Sequence, residues 1–246
     1  LYYKELLRVR HFFVYFAGTI AAIALVCMVI PNRVLSLGAG AHPQIPFVFF
    51  LVVAGIAASI LATILGTSLA AENCAHLEIA WTLPASRIAY AARVLWVDVL
   101  AIVALFAFIV LAGLAVIYAH GFGRYLVFDP DSGAEVLRFA AYPLAWFGIA
   151  QALTASMRAK APAYAGLAWP VALALLILYE VPLSAPLHAM LRTINLVNPL
   201  VYASFASGTV TPDLLMLNAA IAAEALAGLA ILGIALALAQ WQRLQA

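Results

Sequence analysis

Charge is what this sequence has least of. Asp, Glu, Lys and Arg make up 9% of its 246 residues, against about 25% in a soluble domain, so too little polar surface exists to coat the chain in water. Lysine occurs only as Lys4 and Lys160, and neither follows a glycine loop of the GxxxxGK[ST] kind. With no lysine placed to reach terminal phosphates, the chain carries no P-loop of its own. The cysteines, Cys27 and Cys74, lie far apart and form no CxxC, so neither a disulfide framework nor a paired-thiol metal or redox motif is indicated. No basic run exceeds RVRH near the N-terminus, and a net charge of +2 gives no nucleic-acid signature.

What is present is hydrocarbon: 67% of the residues are hydrophobic and the mean hydropathy is +1.10. A spanning helix needs about 20 mainly apolar residues, and six stretches qualify: Phe12–Ile30, Phe47–Ala70, Val94–Tyr118, Val136–Ser156, Pro162–Tyr179 and Leu214–Gln240. The expected fold is all-α, a single polytopic transmembrane domain over residues 1–246. The chain begins at Leu1 rather than Met, so a few terminal residues are taken to be missing. No n-region and cleavage site stand apart from the first apolar stretch, which therefore reads as a retained span.

Six spans put both termini on one side. If that side is cytosolic, the inner segments hold Lys4, Arg8, Arg10, Arg87, Arg93, Arg158, Lys160 and Arg243, and the outer ones Arg33, Arg124, Arg138 and Arg192, eight against four. The positive-inside rule selects that orientation. The expected location is a cell membrane, crossed many times, of the bacterial inner-membrane kind. Lys4, Arg8 and His11 recur on one helical face of LYYKELLRVRH, which predicts a short interfacial helix ahead of the first span.

A polar interruption, LAAENCAHLEIAWTLPASR, Leu69–Arg87, stands between the second and third apolar stretches. At about 100° per residue, Glu72–Trp81 reads as a short amphipathic helix. Ala70, Cys74, Leu77 and Trp81 form its apolar stripe, Glu72, Asn73 and His76 lie opposite, and Ile79 is exposed beside them. Pro84 ends it, since proline cannot continue the ladder and biases Leu83 away from helix. One reading is a solvated loop helix. A second is a metal site at Glu72, His76 and Glu78, but the zinc motif on a helix needs two His one turn apart and only His76 is present. A third is a docking element for a cytosolic subunit.

The third reading gains from a resemblance. LEIAWTLPASR (Leu77–Arg87) resembles the "LELLLTLPVSR" type of sequence in permease subunits of ABC-2 type ABC exporters, and NPLVYA (Asn198–Ala203) resembles that family's "NPLTYV" type. Leu187, Met190, Leu191 and Ile194 have the i, i+3, i+4, i+7 spacing of the small outer helix that precedes it there. The resemblance implies a coupling helix between spans two and three that docks an ATPase, with Leu77, Glu78, Leu83, Pro84, Ser86 and Arg87 in the matching motif, and the outward face of the helix adds Glu72, Asn73, His76 and Ile79 to the expected docking surface. The resemblance also implies a transporter subunit rather than an enzyme, with ATP and Mg²⁺ on two partner ATPase chains, a second permease identical or homologous to this one, and no cofactor here. This chain departs from the pattern at Ala75-His76, where the family often has Gly-Thr, and its upstream charged run is reduced to AENC.

Two acids fall within expected spans. Glu224, near the middle of the sixth, is expected to face the bundle interior or water and is a candidate for the translocation path or a permease–permease interface, or for a carboxyl that only holds the bundle together. Asp98, a second candidate, lies close enough to the surface to snorkel or to pair with Arg93 or Arg87. Ala58, Ala62, Gly66 and Ala70 form a small-residue ridge on the second span, which packs within the subunit or against a partner. Arg138 is expected to snorkel. Rival functions are an intramembrane enzyme, a secondary transporter and a non-transporting scaffold. No span carries GxSxG, and the five histidines sit at or outside the span ends. A secondary transporter would usually show matched broken spans in two halves, and no convincing repeat is visible.

Overall fold

In the computed structural model, residues 2–29, 44–75, 87–157, 160–203 and 218–243 are described. The helices are α1 (Tyr2–Val29), α2 (Phe47–Leu65), α3 (Ser68–Ala75), α4 (Arg87–Ala119), α5 (Ser132–Thr154), α6 (Ala161–Tyr179), α7 (Ala185–Asn195) and α8 (Ala219–Arg243). Short 3-10 turns occupy Phe122–Tyr125 and Pro199–Ala203. Two-residue strands, β1 (Ile45–Pro46) and β2 (Leu126–Val127), pair in parallel. Among the described residues, six segments are long and apolar enough to cross a membrane: Leu6–Val29, Phe47–Glu72, Ile88–Ala119, Ser132–Thr154, Ala161–Tyr179 and Ala219–Arg243. The chain is an all-α, multi-pass membrane protein.

Contacts between helix ends fix the directions. Near one end of the bundle, the terminal face, the start of α1 meets the start of α4 through Arg8 and Asp98, and the end of α8 meets the end of α5 through Gln240 and the Ala152 carbonyl. At the far face, a ring nitrogen of His120, just beyond α4, lies 2.8 Å from the Cys27 carbonyl in the last turn of α1. Hence α1 and α4 run parallel, and α5 and α8 run the other way. Beside β1 and β2, Phe47 packs on Phe128 with ring centroids 4.9 Å apart.

Several boundaries differ from expectation. The interfacial helix expected at the N-terminus is not a separate element. Between Tyr2 and Ala17 there is no proline or glycine to interrupt the ladder, so α1 runs unbroken to Val29. Helix α4 starts at Arg87, seven residues before the expected Val94, because RIAYAAR contains no breaker. Its 33 residues extend about 50 Å, well beyond a hydrocarbon core of about 30 Å. Helix α8 begins at Ala219, where the Asn218 side chain accepts the Ala220 N–H at 2.9 Å, an N-cap that satisfies one orphan donor.

Helix α5 is the axle of the bundle. Phe139, Tyr142, Trp146, Phe147 and Gln151 are almost fully buried along it, and α8 crosses it at two glycines. A Cβ on Gly233 would lie 2.4 Å from the Gly148 backbone, and one on Gly148 would lie 2.7 Å from the Ala230 carbonyl oxygen. Backbone meets backbone there, the close approach that small residues permit between spanning helices. The α2 ridge is internal as well. Gly66 within it faces Ala150 of α5, Gly55 just before it faces Phe139 of α5, and Ala58, Ala62 and Ala70 are wholly buried.

Candidate functional site

The polar passage is approached through a break in the second span. After Leu65 the chain turns at Gly66–Thr67 before α3 resumes at Ser68. Gly66 is needed here for proximity: a Cβ would come within 2.3 Å of the Ala150 Cβ. A break frees backbone carbonyls, which in hydrocarbon must find other donors. Helix α5 supplies them. The Gln151 amide nitrogen donates to the Leu65 carbonyl at 3.2 Å and to Ser68 Oγ at 2.7 Å. The Thr154 hydroxyl shares its proton between the Gly66 and Ala150 carbonyls, at 2.8 and 2.7 Å.

Glu72 lies on the second turn of α3, and its expected outward orientation is corrected. The residue is only 6% exposed, and its Oε2 accepts a 2.6 Å hydrogen bond from the Tyr90 hydroxyl. Resuming at Ser68 turns α3 so that Ser68, Leu69, Ala70 and Glu72 face inward and Ala71 faces out. A carboxyl at a buried position needs a donor, and Tyr90, near the start of α4, provides one. The Tyr90 ring stacks on Trp241 of α8, 6.3 Å between centroids and 22° from parallel. Residues 76–86, with His76, Leu77, Glu78, Ile79, Leu83, Pro84 and Ser86, lie outside the described residues, as do the side chains of Asn73 and Arg87. The observed helix therefore overlaps the expected Glu72–Trp81 helix only to Ala75.

Asp98 does not snorkel. It is fully buried, and its Oδ1 accepts a hydrogen bond from the Arg8 guanidinium at 2.7 Å. Reading along the chain did not suggest this partner, ninety positions away. Glu224 lies nearer a helix start than expected. Because α8 starts at Ala219, Glu224 sits in its second turn, and Ala220, Glu224 and Gly228 form an exposed stripe directed away from the bundle rather than into it.

At the far face, Asn195 and Asn198 bind α6 from the side. Asn198 Nδ2 donates to the Ala172 carbonyl at 2.8 Å and to Asn195 Oδ1 at 2.9 Å, and Asn195 Nδ2 donates to the Leu175 carbonyl at 3.2 Å. Asn198 Oδ1 accepts the Leu200 N–H, which shapes the 3-10 turn of NPLVYA. The Tyr202 hydroxyl donates to the Leu196 carbonyl at 2.8 Å, and burial raises its pKa above the ordinary value of 10.0, keeping the phenol a donor. Arg138, expected to snorkel, is held by protein partners. Its Nε donates to the Tyr202 carbonyl at 2.7 Å and its Nη1 pairs with Glu135 at 3.2 Å. Of the four apolar residues expected to line α7, Leu191 is buried, whereas Leu187, Met190 and Ile194 are exposed.

Between α2 and α6 runs an open groove of about 410 Å³ lined by Ile56, Ile60, Thr63, Ile64, Gly166 and Trp169. Its one hydroxyl is already engaged: Thr63 Oγ1 accepts the Trp169 indole N–H at 2.9 Å and donates to the Ser59 carbonyl at 2.8 Å. Behind it, Trp169 stacks on Trp146 with centroids 4.1 Å apart. Sequence reasoning missed Tyr90, Gln151, Thr154, Trp169 and Trp241. A glutamine inside an apolar span and a Gly-Thr pair near the end of another were the available signals. No protein-family model, curated protein or solved structure matches the chain.

Proposed function

We propose that this chain is the membrane-spanning permease subunit of an ATP-driven ABC exporter of the ABC-2 type, resident in a cell membrane of the bacterial inner-membrane kind. The observation that carries the reading is the exit of α3 and the entry of α4 at the terminal face, side by side. They flank the segment whose LEIAWTLPASR sequence resembles the family's ATPase-docking element. A folded NPLVYA turn seated against α6 is a second support. The nucleotide and Mg²⁺ would sit on two ATPase chains bound to that segment, reached by Asn73, His76, Leu77, Glu78, Ile79, Pro84 and Arg87, with Glu72 anchoring its root. Helices α1 and α6 are the least covered of the six spans, which leaves surface for a second permease, identical or homologous.

Purification from native membranes in mild detergent tests this. An ATPase should accompany the chain. Ile79→Asp, or Glu78→Arg with Arg87→Glu, should reduce its recovery at least tenfold while membrane insertion is unchanged. Full retention of the ATPase by those variants would contradict the docking assignment.

The broken α2 favours one rival, since discontinuous spanning helices often mark ion or substrate sites in secondary transporters. Here the carbonyls of Leu65 and Gly66 are taken by Gln151 and Thr154 instead of facing a cavity. Proton- or sodium-driven flux in ATPase-free liposomes would support that rival.

A further inference from the structure

The roots of the polar passage are joined by a buried side-chain pair, and the same pair touches a third helix. Glu72 and Tyr90 are eighteen residues apart, and the 2.6 Å bond between them closes the chain on either side of residues 73–89. That distance is short for an O–H···O contact, in the range of strong hydrogen bonds to carboxylates. Both partners are shielded from solvent, Glu72 at 6% and Tyr90 at 8% exposure. Tyr90 uses its hydroxyl on α3 and its ring face on Trp241, itself 3% exposed, on α8. Two turns further along α4, Asp98 is tied to Arg8 of α1. Through Tyr90 and Asp98, residues 87–98 of α4 reach α3, α8 and α1, and Tyr90 makes two of those contacts.

We infer that Glu72 and Tyr90 form a clasp that converts displacement of the passage into movement of α4 and α8. With the clasp closed, the roots of the passage move as one body, and Tyr90 presses that movement onto Trp241. With it open, α3 and α4 are coupled less tightly and more of the displacement of the passage dissipates locally. Glu72 and Tyr90 are positioning residues that touch neither nucleotide nor cargo. The inference rests on the passage being the ATPase-docking segment.

Hydrogen exchange on the purified chain, alone and with its co-purified ATPase, tests this with Tyr90→Phe, which keeps the ring and deletes the hydroxyl, and Glu72→Gln, which keeps an acceptor. In the chain alone, Tyr90→Phe should speed exchange of amides in residues 72–75 and 87–92 about tenfold, as loss of one buried hydrogen bond implies, and Glu72→Gln should change it less than threefold. In the complex, ATP should alter exchange across residues 87–98 in the native chain and in Glu72→Gln. In Tyr90→Phe the ATPase should remain bound while that response is lost. If Tyr90→Phe does not fold, Glu72→Ala opens the clasp from the other side and should give the same pattern. Unchanged exchange in the chain alone, or a native ATP response in the clasp-opened variant, overturns the inference and leaves the permease reading standing. If no ATPase accompanies the native chain, the permease reading fails and takes the transmission role with it, while the exchange data still show whether the clasp exists.

Discussion

Asp98 shows how a single side chain acquires its role from a partner that local sequence does not reveal. Windows around it show an acid near two arginines, whereas the contact that buries it comes from Arg8 on α1. Removing one member of a fully buried pair costs about 3–5 kcal/mol, while replacing both by apolar residues is often close to neutral; here Asp98 is buried and Arg8 is partly exposed, so the cost falls below that range. Arg8→Leu should therefore lower the thermal midpoint in detergent, and Arg8→Leu with Asp98→Leu should recover most of the loss. Equal losses in the two variants would show that the pair does not act as a unit. The α5–α8 crossing is a second residue-scale test. Gly233→Leu would drive a side chain into the Gly148 backbone, where neither side has a flexible end to move. It should cost at least about 3 kcal/mol, the upper end for overpacking, and Gly228→Leu, where a Cβ meets open space, should be tolerated.

At the scale of elements, the spans were legible and their interruptions were not. Hydropathy over about 20 residues depends only on composition, so all six helices could be read directly. Where they begin depends on caps and breakers. Asn218 moves the start of α8, and with it Glu224 goes from mid-span to the second turn. The Gly-Thr pair hinted at the α2–α3 break without deciding it, since Gly-Thr is also compatible with a continuous helix. Only the donors on α5, more than eighty residues on, make an interruption there stable. Gln151→Leu leaves the Leu65 carbonyl and the Ser68 hydroxyl without that donor. It should cost about 1–2 kcal/mol, at the upper end for hydrogen bonds between spanning helices, and should raise exchange in α3 with little effect on α7. Asn198→Ala should cost a similar amount and do the reverse, loosening the 3-10 turn and α7 while α3 stays protected. Asn198 was singled out only through a resembling motif. Its physical task, binding α6 carbonyls from the side, emerged from the fold.

At the scale of the whole molecule, the polar passage was the feature most visible in the sequence, because charge and proline stand out against an apolar background. Its helical periodicity suggested a free outward face that included Glu72, yet Glu72 is an internal root, since the preceding break sets how α3 is rotated. The account requires the remainder of the passage to lie in the cytosol within reach of an ATPase. Cysteine introduced by Ile79→Cys, with Cys27→Ser and Cys74→Ser, reports this directly when vesicles of either orientation are treated with a membrane-impermeant maleimide. The account predicts labelling in inside-out vesicles stripped of ATPase, protection when the ATPase is restored, and no labelling in right-side-out vesicles. Labelling from the outer side would contradict it.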